Sequence, residues 1–166
     1  IISEKEDGVA FINEILPMTP SQYIFQKVVV GFLFGCLSSI VTACICFRLS
    51  WQNFGLLLVL IVMSSFVAAL IGLFIGSLSE GLMIGVVYMK IVMLLFLSVP
   101  IVCALIGAGG PLAAICNIVP SQPAFDGIMA LSAGNMGTAV KDVGILTVHC
   151  IVWFALYVLI STQRKK

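Results

Sequence analysis

Charge is what this chain has least of. Of its 166 residues only 9 % are Asp, Glu, Lys or Arg, and there is a single histidine. Soluble domains carry roughly 25 % charged residues. The apolar share is 61 %, against roughly 45–50 % in such domains. A soluble globular domain is thereby excluded. Disorder is excluded as well, because disordered chains are poor in apolar residues and rich in net charge. The net charge of +1 leaves no electrostatic footprint for nucleic acid. Catalytic signatures are missing too. The chain has no phosphate-cradling Gly-x-x-x-x-Gly-Lys-Ser/Thr, no His-Glu-x-x-His and no Gly-x-Ser-x-Gly. Gly107-Ala108-Gly109-Gly110-Pro111 is glycine-rich, but Pro111 and the apolar surroundings argue against a nucleotide loop. The chain is therefore not read as an enzyme. Any energy it uses is supplied by another chain.

Metal ligands are equally scarce. His149 stands alone, with Ile145, Leu146, Trp153 and Phe154 at the helical spacings where a second ligand would sit. A packed or hydrogen-bonded histidine is the expectation. The six cysteines, at 36, 44, 46, 103, 116 and 150, have neither zinc nor redox spacing. They are expected to act as small apolar residues, with no disulfide and no metal. No signal peptide is visible, since the start is neither basic nor followed by an adequate apolar run.

Long apolar runs fill the rest. A helix needs about 20 apolar residues to cross the hydrocarbon core. Charges divide the chain into stretches of 20 residues (28–47), 31 (49–79), 35 (91–125) and 21 (143–163). The reading is an all-α integral membrane protein with four spans, at about 28–48, 54–78, 82–107 and 143–162. Leu56 to Val62 is apolar on every face, whereas a barrel strand alternates. Thr19-Pro20-Ser21-Gln22 reads as a capping box with Pro at the first helical position, and Ser77-Leu78-Ser79-Glu80 as a second one. Lys5 and Lys27 near the start and Arg164-Lys165-Lys166 at the end face only Arg48 and Lys141 on the opposite side. The positive-inside rule then makes both termini cytoplasmic, in a cell membrane.

Two segments are not spans. Residues 1–27 are polar, but Val9 to Leu16 can form a short helix with Phe11, Ile12, Ile15 and Leu16 on one side. It is either a solvated tail or a cytoplasmic docking helix. Residues 108–142 contain Gly109-Gly110-Pro111, Pro120 and Pro123, yet are apolar. Such a stretch should dip into the membrane or lie on its surface as short helices. Its backbone breaks must then be buried in protein or line a wet cavity. The remaining domain, 28–166, is transmembrane.

Gly31/Gly35, Gly72/Gly76 and Gly81/Gly85 have the spacing that lets helices approach closely in lipid. Lys90 is the only charge well inside a span. It either snorkels to the headgroups, pairs with Glu80, or lines a transport path with the polar positions Ser64, Ser65 and His149.

The order of these features resembles the ABC type-2 exporter permeases. Glu4-Lys5-Glu6-Asp7-Gly8, an apolar stretch, then Leu16-Pro17-Met18-Thr19-Pro20-Ser21-Gln22-Tyr23 and Lys27 opening a span form one match. Val119-Pro120-Ser121-Gln122 after an apolar span, followed by a short helix, a last span and a basic tail, form the second. The nearest likeness is to the small permeases of the fluoroquinolone-exporter kind. That family has an interfacial helix and two spans before the Glu-Lys-Glu-Asp-Gly segment, so the chain resembles the C-terminal two-thirds of a permease. The resemblance implies a subunit of a bacterial cytoplasmic-membrane exporter of small amphipathic molecules. It implies a homodimer or a paralogous permease, embedded in lipid and paired with ATP-binding subunits. ATP and magnesium would be held there, with no cofactor on this chain. Glu6, Asp7, Gly8, Phe11, Ile12, Ile15, Thr19 and Pro20 would form the coupling helix against the ATPase. The extracellular re-entrant insertion would gate the exit through Pro120 and Phe125. The competing reading is a membrane scaffold or sensor that transports nothing.

Overall fold

Long uncharged runs leave no alternative partner for the backbone in lipid, so each closes its own hydrogen bonds as a helix. In the computed structural model, which describes residues 20–46, 51–107 and 111–163, six helices appear and no strand. They are α1 (Pro20–Cys46), α2 (Trp51–Leu78), α3 (Leu82–Ile106), α4 (Pro111–Cys116), α5 (Ser121–Ser132) and α6 (Met136–Gln163). Four of them, α1, α2, α3 and α6, are long and apolar enough to cross a membrane. Pro20 is the first described residue of α1, and Thr19 of the expected capping box lies outside the described residues.

The helix α2 is the axis of the fold. In its most apolar window 44 % of residues are buried, against 6 % in α1 and 11 % in α3 and α6. Its Leu57, Leu60 and Ile61 pack with Ala43 of α1, Leu131 of α5 and Ala139 and Leu146 of α6. Further along, Val67, Ile71 and Ile75 pack with Cys150 of α6, while Val92 and Phe96 of α3 lie against them. The Cys150 thiol donates to the Met63 carbonyl at 3.6 Å. Phe74 and Trp153 meet edge to face at 6.4 Å. Gly31 and Gly35 bring α1 close to α2: a Cβ on Gly35 would stand 3.4 Å from the Ser65 Cβ and Oγ.

Three expectations need correction. The last helix begins at Met136, not at 143. Asp142 does not stop it, because that side chain is buried against α5 instead of facing water. The start is set by Asn135, whose Oδ1 accepts the Thr138 amide at 3.3 Å. Asn135 also closes α5: its N–H reaches the Ala130 carbonyl at 2.8 Å, and that of Gly134 reaches Leu131 at 3.1 Å. This is a Schellman turn, and it needs the left-handed φ of +77° that Gly134 supplies. Secondly, Ser77-Leu78-Ser79-Glu80 is not an N-terminal capping box. The Ser77 and Ser79 hydroxyls donate back to the Phe74 and Ile75 carbonyls of α2, and the N-cap of α3 is Gly81.

Thirdly, Cys103 and Cys116 form a disulfide. Spacing rules for redox and zinc motifs do not reach this pair, because it closes a corner. Gly107, at φ +63°, ends α3, the chain turns, and the last residue of α4 comes back beside the final turn of α3. Cys36, Cys44, Cys46 and Cys150 are free thiols.

Candidate functional site

Small residues on α1 and α2 leave space between these helices where large ones would fill it. Two cavities follow their seam. One, of about 280 Å³, is lined by Gly35 and Ser39 of α1, Ser64, Ser65 and Ala68 of α2, Phe96 of α3, and Pro120, Ser121 and Ala124 of the insertion. The other, of about 480 Å³, runs toward the opposite end past Gly31, Ala69, Gly72, Gly76 and Met89 to Lys27. Gly35, Ser65 and Ala68 line both. A Cβ on Gly35 would meet Ser65 at 3.4 Å, so α1 and α2 run close together where the two cavities share a wall.

Hydroxyls supply the polarity of the first cavity. The Ser64 Oγ donates to the Ile61 carbonyl of its own helix at 3.1 Å. The Ser121 Oγ is buried with no hydrogen-bond partner among the described residues. Pro100 of α3 has no N–H to offer the Phe96 carbonyl, so that backbone is weakened next to the cavity.

The insertion forms part of the wall of the first cavity through Pro120, Ser121 and Ala124. Residues 117–120 form a compact turn, with Val119 N–H bonding the Cys116 carbonyl at 3.1 Å and Gln122 N–H the Val119 carbonyl at 3.0 Å. This turn sits deep against the long helices. His149, about 20 Å along α6 from its first residue, holds the Asn117 carbonyl with Nε2 at 2.8 Å. A carbonyl only accepts, so Nε2 carries the proton. On α5 the buried face is Gln122, Pro123, Gly127 and Leu131. The Gln122 Nε2 donates to Asp126 at 2.8 Å. The Gln122 Oε1 and the Asp142 Oδ2 are buried with no partner among the described residues.

The sequence-predicted residues fall into three groups. Ser64, Ser65 and Pro120 meet on one cavity. His149 does not line it but holds the turn that does. Lys90 lies elsewhere, exposed on α3 beside a shallow groove with Ile91, Leu94, Leu95 and Ser98, while its neighbour Met89 faces the second cavity. Phe125 is 41 % exposed and absent from the cavity lining, unlike Pro120. Of the coupling residues, Pro20 is the first residue of α1. Glu6, Asp7, Gly8, Phe11, Ile12, Ile15 and Thr19 lie outside the described residues. Ser39, Phe96 and Asn117 carry no signal in the sequence, while the Gly31/Gly35 spacing signals close helix packing and not a cavity wall.

Three membrane-length helices around an axial fourth, with two cavities along one seam, define a multi-pass helical membrane protein. The family model of the ABC-2 family transporter proteins matches residues 1–159, and the chain belongs to that family. It is thus the permease, the membrane component of an ABC transporter, and not itself the catalytic part. No curated protein and no solved structure matches the chain.

Proposed function

We propose that this permease exports a small amphipathic, drug-like molecule through the α1–α2 seam, driven by ATP hydrolysed on a separate ATP-binding subunit. The observation that carries the reading is the pair of cavities along the α1–α2 seam that share Gly35, Ser65 and Ala68 in their walls. Their walls are apolar and interrupted by serine hydroxyls, a lining suited to a largely apolar ligand with a few hydrogen-bonding groups. The second cavity has Lys27 at its mouth, on the side that the positive-inside rule assigns to the cytoplasm. The first ends at Pro120 and Ser121, on the outer side of the same topology. Glu6, Asp7, Gly8, Phe11, Ile12, Ile15, Thr19 and Pro20 would dock on the ATP-binding subunit, and a second permease chain would complete the membrane unit. Lys90, exposed on α3, faces lipid or that second chain.

Filling the shared wall tests the path. Gly35→Leu places a branched side chain where a bare Cβ already meets Ser65 at 3.4 Å. In the intact permease with its ATP-binding subunit, ethidium export should fall at least tenfold at normal membrane level. Gly144→Leu, where a Cβ meets nothing within 4 Å, should export normally. Full export by Gly35→Leu would remove the seam from the path.

A further inference from the structure

The turn that forms part of the first cavity's wall is fastened at two adjacent residues to two different long helices. Cys116 is bonded covalently to Cys103, near the end of α3. Asn117, the next residue, accepts the Nε2–H of His149 from the middle of α6 at 2.8 Å. Three and four residues later come Pro120 and Ser121, which form part of the cavity wall. The two fastenings differ in kind. The disulfide survives any thermal opening. The hydrogen bond does not: its net stabilisation corresponds to about twofold to tenfold in an opening equilibrium.

We infer that His149 is a positioning residue, the releasable catch of a tethered plug. With the catch closed, residues 117–121 stay seated over the serine-lined cavity. With it open, the turn lifts away from α6 while the disulfide keeps it leashed to α3, so that it returns to the same seat. The tethered end does not need the imidazole as an acid or a base. It needs one N–H donor at that depth, and the Nε2–H of His149 supplies it. Gln122 and Asp126 bond each other on α5, while the Asn117 carbonyl is bonded by His149. The inference rests on reading the cavity as part of the export path, but the catch can be tested without any transported molecule.

The test uses the intact permease with its ATP-binding subunit. Cys36, Cys44, Cys46 and Cys150 are replaced by alanine, Cys103 and Cys116 are kept, and Ser64→Cys is the reporter behind the plug. A sulfonated, membrane-impermeant maleimide is applied from either side without nucleotide. His149→Leu should raise the labelling rate from the outer side about twofold to tenfold. His149→Gln, which restores an N–H donor, should return it to the parent value. Reduction of the disulfide alone frees the Cys103 and Cys116 thiols, so label is read at position 64 by peptide mapping; there it should stay slow, because the catch still holds, and this arm needs no substitution at His149. Equal rates for His149→Leu and the parent would overturn the catch, as would fast labelling after reduction alone. Reaction only from the cytoplasmic face would overturn the outward placement of the plug. A catch effect together with undiminished export by Gly35→Leu would sink the path and leave the catch standing.

Discussion

Among the described glycines, Gly127 is one where an added Cβ would meet its neighbours at very short range. A Cβ there would stand 3.0 and 3.1 Å from the two Leu60 Cδ atoms and 3.3 Å from the Asp142 Cβ. Leu60 is only 1 % exposed, so it has no room to swing aside. Gly127→Ala should therefore destabilise the fold by about 1–3 kcal/mol through overpacking, read as a lower midpoint in detergent thermal unfolding. Asp142 is the opposite case. Its Oδ2 is buried without a partner among the described residues, and burying an unpaired carboxylate is costly. Asp142→Asn should leave the unfolding midpoint unchanged or raise it. At this scale the sequence was legible only in part. Ser64 and Ser65 stood out as hydroxyls in an apolar run. Ser121 and Asn117 did not, because nothing in the chain's local pattern reveals how deep an insertion reaches.

The number of long helices follows from run length, but α3 takes in Lys90 and α6 takes in Lys141 and Asp142. Their ends were less legible, since charge was used as the boundary marker. Asp142 shows why this fails: a charged residue inside a helix is tolerated when a neighbouring element covers it. The true start of α6 is the junction at Gly134 and Asn135, where one asparagine closes α5 and caps α6. Asn135→Ala should cost about 1 kcal/mol by loss of the cap and loosen the insertion, measurable as faster amide exchange over 130–139. The disulfide was illegible for a related reason. Its partners come together only because α4 lies beside the end of α3, a tertiary event that no cysteine spacing encodes.

As a whole molecule the chain exposes far more apolar surface than a water-soluble protein can. Leu105, Met83, Leu94 and Met93 on α3 are each exposed by 64 % or more. Lipid covers such surface, and so would a second permease chain. The one polar stretch, residues 1–27, is the natural place for a water-soluble subunit to grip the membrane part. The central claim is that an ATP-binding subunit drives vectorial export through this chain, and inverted membrane vesicles carrying both subunits test it most directly. ATP should drive ethidium into the lumen. Phe11→Asp with Ile15→Asp should abolish both uptake and co-purification of the ATP-binding subunit while the permease remains inserted. Uptake that proceeds without ATP, or that survives the double substitution with the ATP-binding subunit still bound, would contradict the account.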